Sequence, residues 1–399
     1  MRIAFLLTQS LDSPSGLGRY WPLSKEMVRL GHEVTVLALH PDYDSLVDRA
    51  YCTEGVAVRY VGQMHVLKRG SVKSHFGPLR LIQVAALATW QLARAALAVP
   101  ADFYHVGKPH PMNALAGWLA ARRRRARLLV DCDDYEAASS RYSMGWQRSV
   151  VRWFEDWLPR QADGVTTNTR FTQHRLQTLG VPADRIVYVP NGVDVARFAV
   201  RDGWSPDDLR RRLDLVGRPI VLYLGNLSLA SHPVDLLIDA FASVHQQIPE
   251  AVLLLVGGGD DLVTLRAQVE RLDLQAAVRF LGQVSPAEAV DHLRIADVSI
   301  DPVRPDPVAS ARSPLKVVES MMVGVPVVTG DVGDRRAVLN DGQAGLLVEP
   351  GSSEALADAI RSVIADPALA QALSHAGLER ARLYHWDQLV HEFVRVYEH

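Results

Sequence analysis

Short apolar runs separated by helical patterns recur twice along this chain, and no other feature constrains its fold as much. In the first half the apolar runs lie at residues 2–8, 33–39, 57–61, 103–106, 127–131 and 164–167. Between them, apolar residues three and four apart mark helices at 17–30, 79–99, 111–124, 146–160 and 170–179. Asn191-Gly192 marks a turn, and a polar, Arg-rich helix follows at 206–213. The alternation then restarts, with runs at 219–225, 252–256, 278–281, 298–301, 325–329 and 345–348. Strands joined through helices run parallel, and a parallel sheet must be covered on both faces. The expected class is therefore α/β, with two Rossmann-like parallel-sheet domains at 1–195 and 196–384 facing an interdomain cleft. A last helix at 385–399 is expected to pack back on the first domain. Ligands in such sheets sit beyond the carboxyl ends of the strands, so chemistry is sought there.

A chain of 399 residues is too long for one typical core, and 48% hydrophobic with 22% charged residues is ordinary for a globular protein. The opening MRIAFLLTQS is too short an apolar run for a signal peptide and reads as a first strand. No uncharged run reaches the roughly 18–20 residues that span a bilayer. Cys52 and Cys132 have no metal or redox spacing, which leads us to expect a cytoplasmic protein. Residues 1–195 carry 24 Lys+Arg against 17 Asp+Glu, while the remainder carries 19 against 28. A basic first half points to an anionic acceptor or a membrane surface. Nucleic acid is not expected, because the cations are not interleaved with aromatic residues.

Residues 312–329, RSPLKVVESMMVGVPVVT, carry the densest signal for a site. Pro314 suits a first helical turn, where free N–H groups and the positive end of the helix dipole attract anions. Lys316 adds a charge there, and Glu319 lies one turn on. A carboxylate beside an anion site suits a ligand with hydroxyls next to phosphates. An ordinary surface Lys–Glu pair explains the same residues.

Other features leave two readings open. Pro14-Ser15-Gly16-Leu17-Gly18 follows the first strand, but Trp21 stands where a dinucleotide fingerprint needs a third glycine. Gly257-Gly258-Gly259 departs in the same way, with Leu262 there, and either approaches a nucleotide or turns the chain. Asp131, Asp133 and Asp134 crowd one strand end, as a substrate contact, a metal site or a solvated loop. Lys108 and His110 lie past another strand end and are candidates for the acceptor side. Helix 79–99 reads as a crossover helix buried on the sheet. The alternative is a membrane-interface role shared with Lys68, Arg69 and Lys73.

The segments GLGRYWPLSKEMVRLGHEVTVLAL, VPNGVDVARF, YLGNLS, HPVDLLIDAF, LLLVGGGD, VRFLGQVS and SPLKVVESMMVGVPVVT together resemble the family-4-type glycosyltransferases of GT-B fold. The resemblance runs in order over nearly the whole chain and is weakest at about residues 40 to 130. It implies retaining transfer of a hexose-like sugar from a UDP- or GDP-sugar to a glycan or lipid-linked acceptor, with no metal and no cofactor. It also implies that Glu319 receives the ribose hydroxyls and that Ser313, Pro314, Leu315 and Lys316 hold the diphosphate. By the same resemblance Phe280 and Gly282 edge the base, and Gly16 faces the donor phosphates.

Departures from the family pattern fall at Ala311, where a glutamate is usual, and at Asn226 and His232, two positions expected on the donor side where cations are usual. Lys316 and Arg312 are the expected substitutes, with Arg304 a weaker candidate. Asp133 stands where an acceptor-side histidine is common and is expected, with Asp134, to contact acceptor or sugar. The alternatives are a non-catalytic nucleotide-sugar-binding protein and a metal-dependent transferase using Asp131 and Asp133. The charge distribution adds an expected peripheral, weak contact with an anionic membrane on its inner face.

Overall fold

A computed structural model describes residues 1–69, 72–139 and 144–398. The chain divides into two compact units, one of Met1–Gly192 with Trp386–His399 and the other of Val193–His385.

Among the described residues the first unit is built on ten strands. They are β1 (Arg2–Leu7), β2 (Glu33–His40), β3 (Ala50–Thr53), β4 (Val56–Gln63), β5 (Val66–Arg69), β6 (Val72–His75), β7 (Phe103–Gly107), β8 (Arg127–Cys132), β9 (Gly164–Thr167) and β10 (Ile186–Tyr188). Eight of them form one sheet in the order β10-β9-β8-β7-β1-β2-β4-β3, parallel except where β3 turns back on β4. β5 and β6 make a separate hairpin. The central strands are apolar on both faces because helices cover both, so β7 and β9 are buried along their whole length.

The second unit holds β11 (Ile220–Leu224), β12 (Val252–Val256), β13 (Val278–Gly282), β14 (Val298–Asp301), β15 (Val327–Gly330) and β16 (Leu346–Val348). Its sheet is wholly parallel, in the order β13-β12-β11-β14-β15-β16. Leu237, Phe241, Leu253 and Leu255 anchor the larger core, between this sheet and the helices on one of its faces.

Two local expectations need correction, and a third holds in part. Helix 17–30 is two pieces, a five-residue π-helical turn Gly16–Tyr20 and an α-helix Trp21–Arg29. Two glycines and Pro22 explain the break, since Pro22 has no N–H for the carbonyl of Gly18 four residues back. Helix Pro78–Ala98 packs on the sheet, as expected of a crossover helix, but through one face only. It buries Val84, Ala88, Leu92 and Ala96 but leaves Leu79, Ile82, Leu87 and Trp90 exposed. It is long and apolar enough to cross a membrane by length and composition, yet it packs along the helix Pro111–Arg124 and strand β4. β15 begins at Val327, two residues late, because Gly324 in left-handed conformation and Pro326 delay the strand.

Candidate functional site

In the second unit the side chains with chemistry meet at the carboxyl ends of β11 and β14. Asp301 ends β14 and is buried. Arg335, itself fully buried, approaches its Oδ2 with Nε at 2.9 Å and Nη2 at 2.8 Å. The Nη1 of Arg335 donates to the carbonyls of Ala309 and Val332, so this guanidinium also ties two loops together. Lys316 Nζ lies 3.9 Å from Asp301 Oδ1 and 3.4 Å from the Tyr223 hydroxyl. Its side chain lies over Gly225, where a Cβ would stand 2.3 Å from Lys316 Cε. The glycine that ends β11 therefore makes room for the lysine.

The charges do not balance. Burial pushes Lys316 down to about 7, with Arg312 and Arg335 adding to the push and Asp301 opposing it. The same three cations outweigh the burial of Asp301 and hold its carboxyl at about 2. Arg312 Nη1 donates to the carbonyl of Ser231, while its Nη2 is buried with no hydrogen-bond partner. A buried donor left without an acceptor costs about 1–3 kcal/mol, more when charged. A bound anion would satisfy it. Three cations facing one carboxylate thus make an anion site whose parts are already in place.

Burial first, and then Lys316, Arg312 and Arg335, push His232 well below the ordinary histidine value. It cannot replace a cation; its Nδ1 lies 2.9 Å from Ser231 Oγ as part of a neutral pair. The Arg304 guanidinium is paired with Asp235 at 2.7 Å. Pro314 is the N-cap rather than a first-turn residue, with ψ of 63°, and the helix runs Leu315–Met322. The Leu315 N–H turns back to the Ser313 carbonyl at 2.9 Å, so that donor is taken within the turn. Ser313 is buried beside it. Glu319 is not paired with Lys316; Arg197 Nη2 donates to its Oε1 at 3.0 Å.

The glycine positions separate by cause. Gly257 has φ of 136°, and a Cβ there would meet the Gly225 carbonyl at 1.9 Å, so its first demand is the crossing of two loops. Asn226 is exposed, its carbonyl accepting from the Tyr223 hydroxyl. Phe280 lies under the Arg266 guanidinium, 4.6 Å from the ring centre, and the Gly282 carbonyl accepts from Gly257 N–H. Gly16 is buried in the first unit, and a Cβ there would stand 2.4 Å from the Leu11 carbonyl.

The first unit has its own cluster at the ends of β7 and β8. Lys108 Nζ lies 2.5 Å from Asp134, 3.2 Å from Glu136 and 3.4 Å from Asp133. Burial opposes the lysine's charge, but the three carboxylates outweigh it and hold the pKa well above the ordinary value. Burial pushes Asp134 up to about 6, helped by Asp133 and Glu136 and opposed by Lys108. Asp133 is buried and also accepts from Asn168 and Asn191. His110 stacks on His65, ring centres 4.8 Å apart, and burial holds it at about 4.

Asp131 is a different case. Its Oδ1 accepts from Arg19 Nη2 at 2.7 Å and Thr166 Oγ1 at 2.6 Å, and its Oδ2 from Arg19 Nε at 2.8 Å and the Tyr20 hydroxyl at 2.9 Å. All four acceptor sites are occupied, so the metal alternative loses one of its two ligands. Asp301, Arg335, Arg197 and Glu136 were not singled out from the sequence. Asp301 had one visible signal, its place at a strand end.

The pattern described as "Glycosyl transferases group 1" matches residues 206–380, and that described as "Glycosyl transferase 4-like domain" matches residues 15–192. The chain is 34% identical to the phosphatidyl-myo-inositol mannosyltransferase of Mycobacterium leprae, across 100% of this chain and 96% of that one. It is 32% identical to a GDP-mannose-dependent alpha-(1-6)-phosphatidylinositol monomannoside mannosyltransferase of Mycobacterium tuberculosis, across 68% of this chain and 71% of that one. Among solved structures, sucrose-phosphate synthase of Thermosynechococcus elongatus superposes with TM-score 0.77 at 20% identity, over 100% of this chain and 98% of that one. Anabaena HepE in complex with UDP-glucose superposes with TM-score 0.73 at 21% identity, again over 100% and 98%.

Proposed function

Because the chain belongs to the family-4-type glycosyltransferases of GT-B fold, we propose that it transfers a hexose-like sugar from a UDP- or GDP-sugar with retention of configuration at the anomeric carbon. The observation that carries this reading is the unbalanced anion site, with Arg312 Nη2 buried and unpartnered beside Lys316. A departing diphosphate gains negative charge as the bond to the sugar breaks, and preorganised cations stabilise that charge most. The bond from the anomeric carbon to the phosphate oxygen breaks and the acceptor oxygen bonds on the same face. The acceptor proton leaves with the diphosphate. Lys316 and Arg312 hold the diphosphate, and Glu319 takes the ribose hydroxyls through Oε2, the oxygen that Arg197 leaves free. These cations supply the positive charge that a divalent ion supplies elsewhere, so no metal is required. Asp133, Asp134, Lys108 and His110 serve the acceptor.

The acceptor on this reading is lipid-linked or otherwise borne on a membrane. Support comes from the helices Pro78–Ala98 and Gly145–Gln161, which expose Leu79, Ile82, Trp90, Trp146 and Trp153. Arg80, Arg94, Arg148 and Arg152 lie on the same helices, and Pro78–Ala98 has no acidic residue. Apolar and aromatic side chains among arginines suit the interface of an anionic bilayer. Of the cations first considered, Lys68 is described, whereas the side chains of Arg69 and Lys73 lie outside the described residues. The mycobacterial relatives carry phosphatidylinositol in their names, which favours GDP-mannose as the first donor to test. Titration calorimetry with UDP, GDP and ADP, followed by NMR of the product's anomeric proton, tests the reading. Binding of none of the three, or a product of inverted configuration, would overturn it.

A further inference from the structure

Beyond that reading, though resting on it for the reaction concerned, we propose that Arg19 is a positioning residue that ties the glycine loop to both points where the chain passes between its two units. The chain leaves the first unit after Gly192 and re-enters it at Trp386. At the outgoing point, Arg19 Nη1 donates to the Val189 carbonyl at 3.1 Å and to Asn191 Oδ1 at 3.0 Å. At the returning point, the guanidinium carbon lies 5.7 Å from the Trp386 ring centre and 5.8 Å from that of Phe393. The Trp386 indole N–H donates to the Gly18 carbonyl at 2.9 Å. That carbonyl is available because Pro22 has no N–H to bond it in the helix. The remaining donors of Arg19 hold Asp131 through both carboxylate oxygens.

A bidentate pair of this kind has a fixed fork geometry, and the cost of burying both charges offsets much of their attraction. Its geometry here is shared by three segments that are remote in sequence. The two crossing segments are themselves paired, with Val193 N–H donating to the Tyr384 carbonyl at 2.8 Å and a parallel bridge between Val193 and His385. A displacement of Asn191 or Trp386 therefore reaches Arg19 and residues 16–20 through these bonds. Arg19 thereby makes the position of the glycine loop depend on both crossing segments.

The test spares the ion pair and removes its outer ties. Asn191→Ala deletes one of the two bonds at the outgoing point, together with the Asn191–Asp133 contact. The kcat reading therefore rests on Trp386→Phe, which leaves Asp133 untouched and deletes the indole donor at the return while keeping a ring. In the full-length protein we expect kcat to fall fivefold or more in Trp386→Phe, with the nucleotide Kd within twofold of wild type. Hydrogen exchange should quicken at residues 16–20 while the other helices of the first unit keep their protection. Unchanged kcat in Trp386→Phe would overturn the proposal, as would a uniform rise in exchange across the first unit, which marks lost stability alone. Wild-type turnover is measured separately. Should it fail, the transfer reading falls, while unaltered exchange at residues 16–20 in Asn191→Ala would still refute the tie.

Discussion

Lys316 and Arg335 face the same carboxylate but play opposite parts. Lys316 has a pKa near 7 against 10.5 for a free lysine. Between those values the unfolded chain holds more protons, so this group lowers stability most below pH 7 and releases the penalty as pH rises to about 10.5. Lys316→Met should therefore keep or raise the melting temperature while turnover falls about tenfold or more, roughly 1.4 kcal/mol at the transition state. Nucleotide-sugar binding carries the reverse sign, because a diphosphate favours the protonated lysine. Affinity should be highest below pH 7 and weaken above it, with net proton uptake at pH 8 when calorimetry is run in buffers of different ionisation enthalpy. Arg335→Met leaves Asp301 buried without its main partner and should cost about 3 kcal/mol or more in urea unfolding. Glu319→Ala should weaken nucleotide binding by about 1–3 kcal/mol, as for a lost charged hydrogen bond. A dissociation constant unchanged in the folded variant would remove Glu319 from the site.

Among the elements, helix Pro78–Ala98 lies on the sheet but buries only one of its faces. Its Ala and Leu content reads as a buried helix, yet the side chains of Leu79 and Trp90 stand in the open. Leu79→Ser with Trp90→Ser should reduce co-sedimentation with anionic vesicles at low salt by severalfold and leave neutral vesicles unaffected. Equal recovery of wild type in the supernatant with both lipids would leave a soluble acceptor only. The parallel strands were legible because burial on both faces writes a continuous apolar run, as in β7 and β12. Short edge strands such as β3, with all four residues exposed, carry no such mark. Within the site, Lys316 and Arg312 were legible from one contiguous motif. Asp301, Arg335 and Arg197 join it from three distant segments, and no spacing records that. Gly257 shows a related difficulty, since a glycine required by a neighbouring backbone looks the same in sequence as one required by a ligand.

For the whole molecule, each unit has its own sheet and its own cores. Calorimetric unfolding should resolve two components. Nucleotide at about 100 times its Kd should stabilise the component containing Val193–His385 by about 2.7 kcal/mol. The other component should move little, and equal shifts in both would show that the units unfold as one.

The division of the first unit into two stretches of chain also sets an order of events during synthesis. Phe393 stacks on His105 with ring centres 5.3 Å apart, and the Tyr397 hydroxyl lies 2.7 Å from His105 Nδ1. These rings close the apolar surface around Phe5, Phe103 and Leu129. A ribosome must make all of Val193–His385 before it reaches them. At about 5–20 residues per second, that surface stays open for roughly 10–40 s, long enough for the later-made unit to fold first. The segment made last thus completes the unit begun first, and until then the nascent chain carries a patch that a chaperone would recognise.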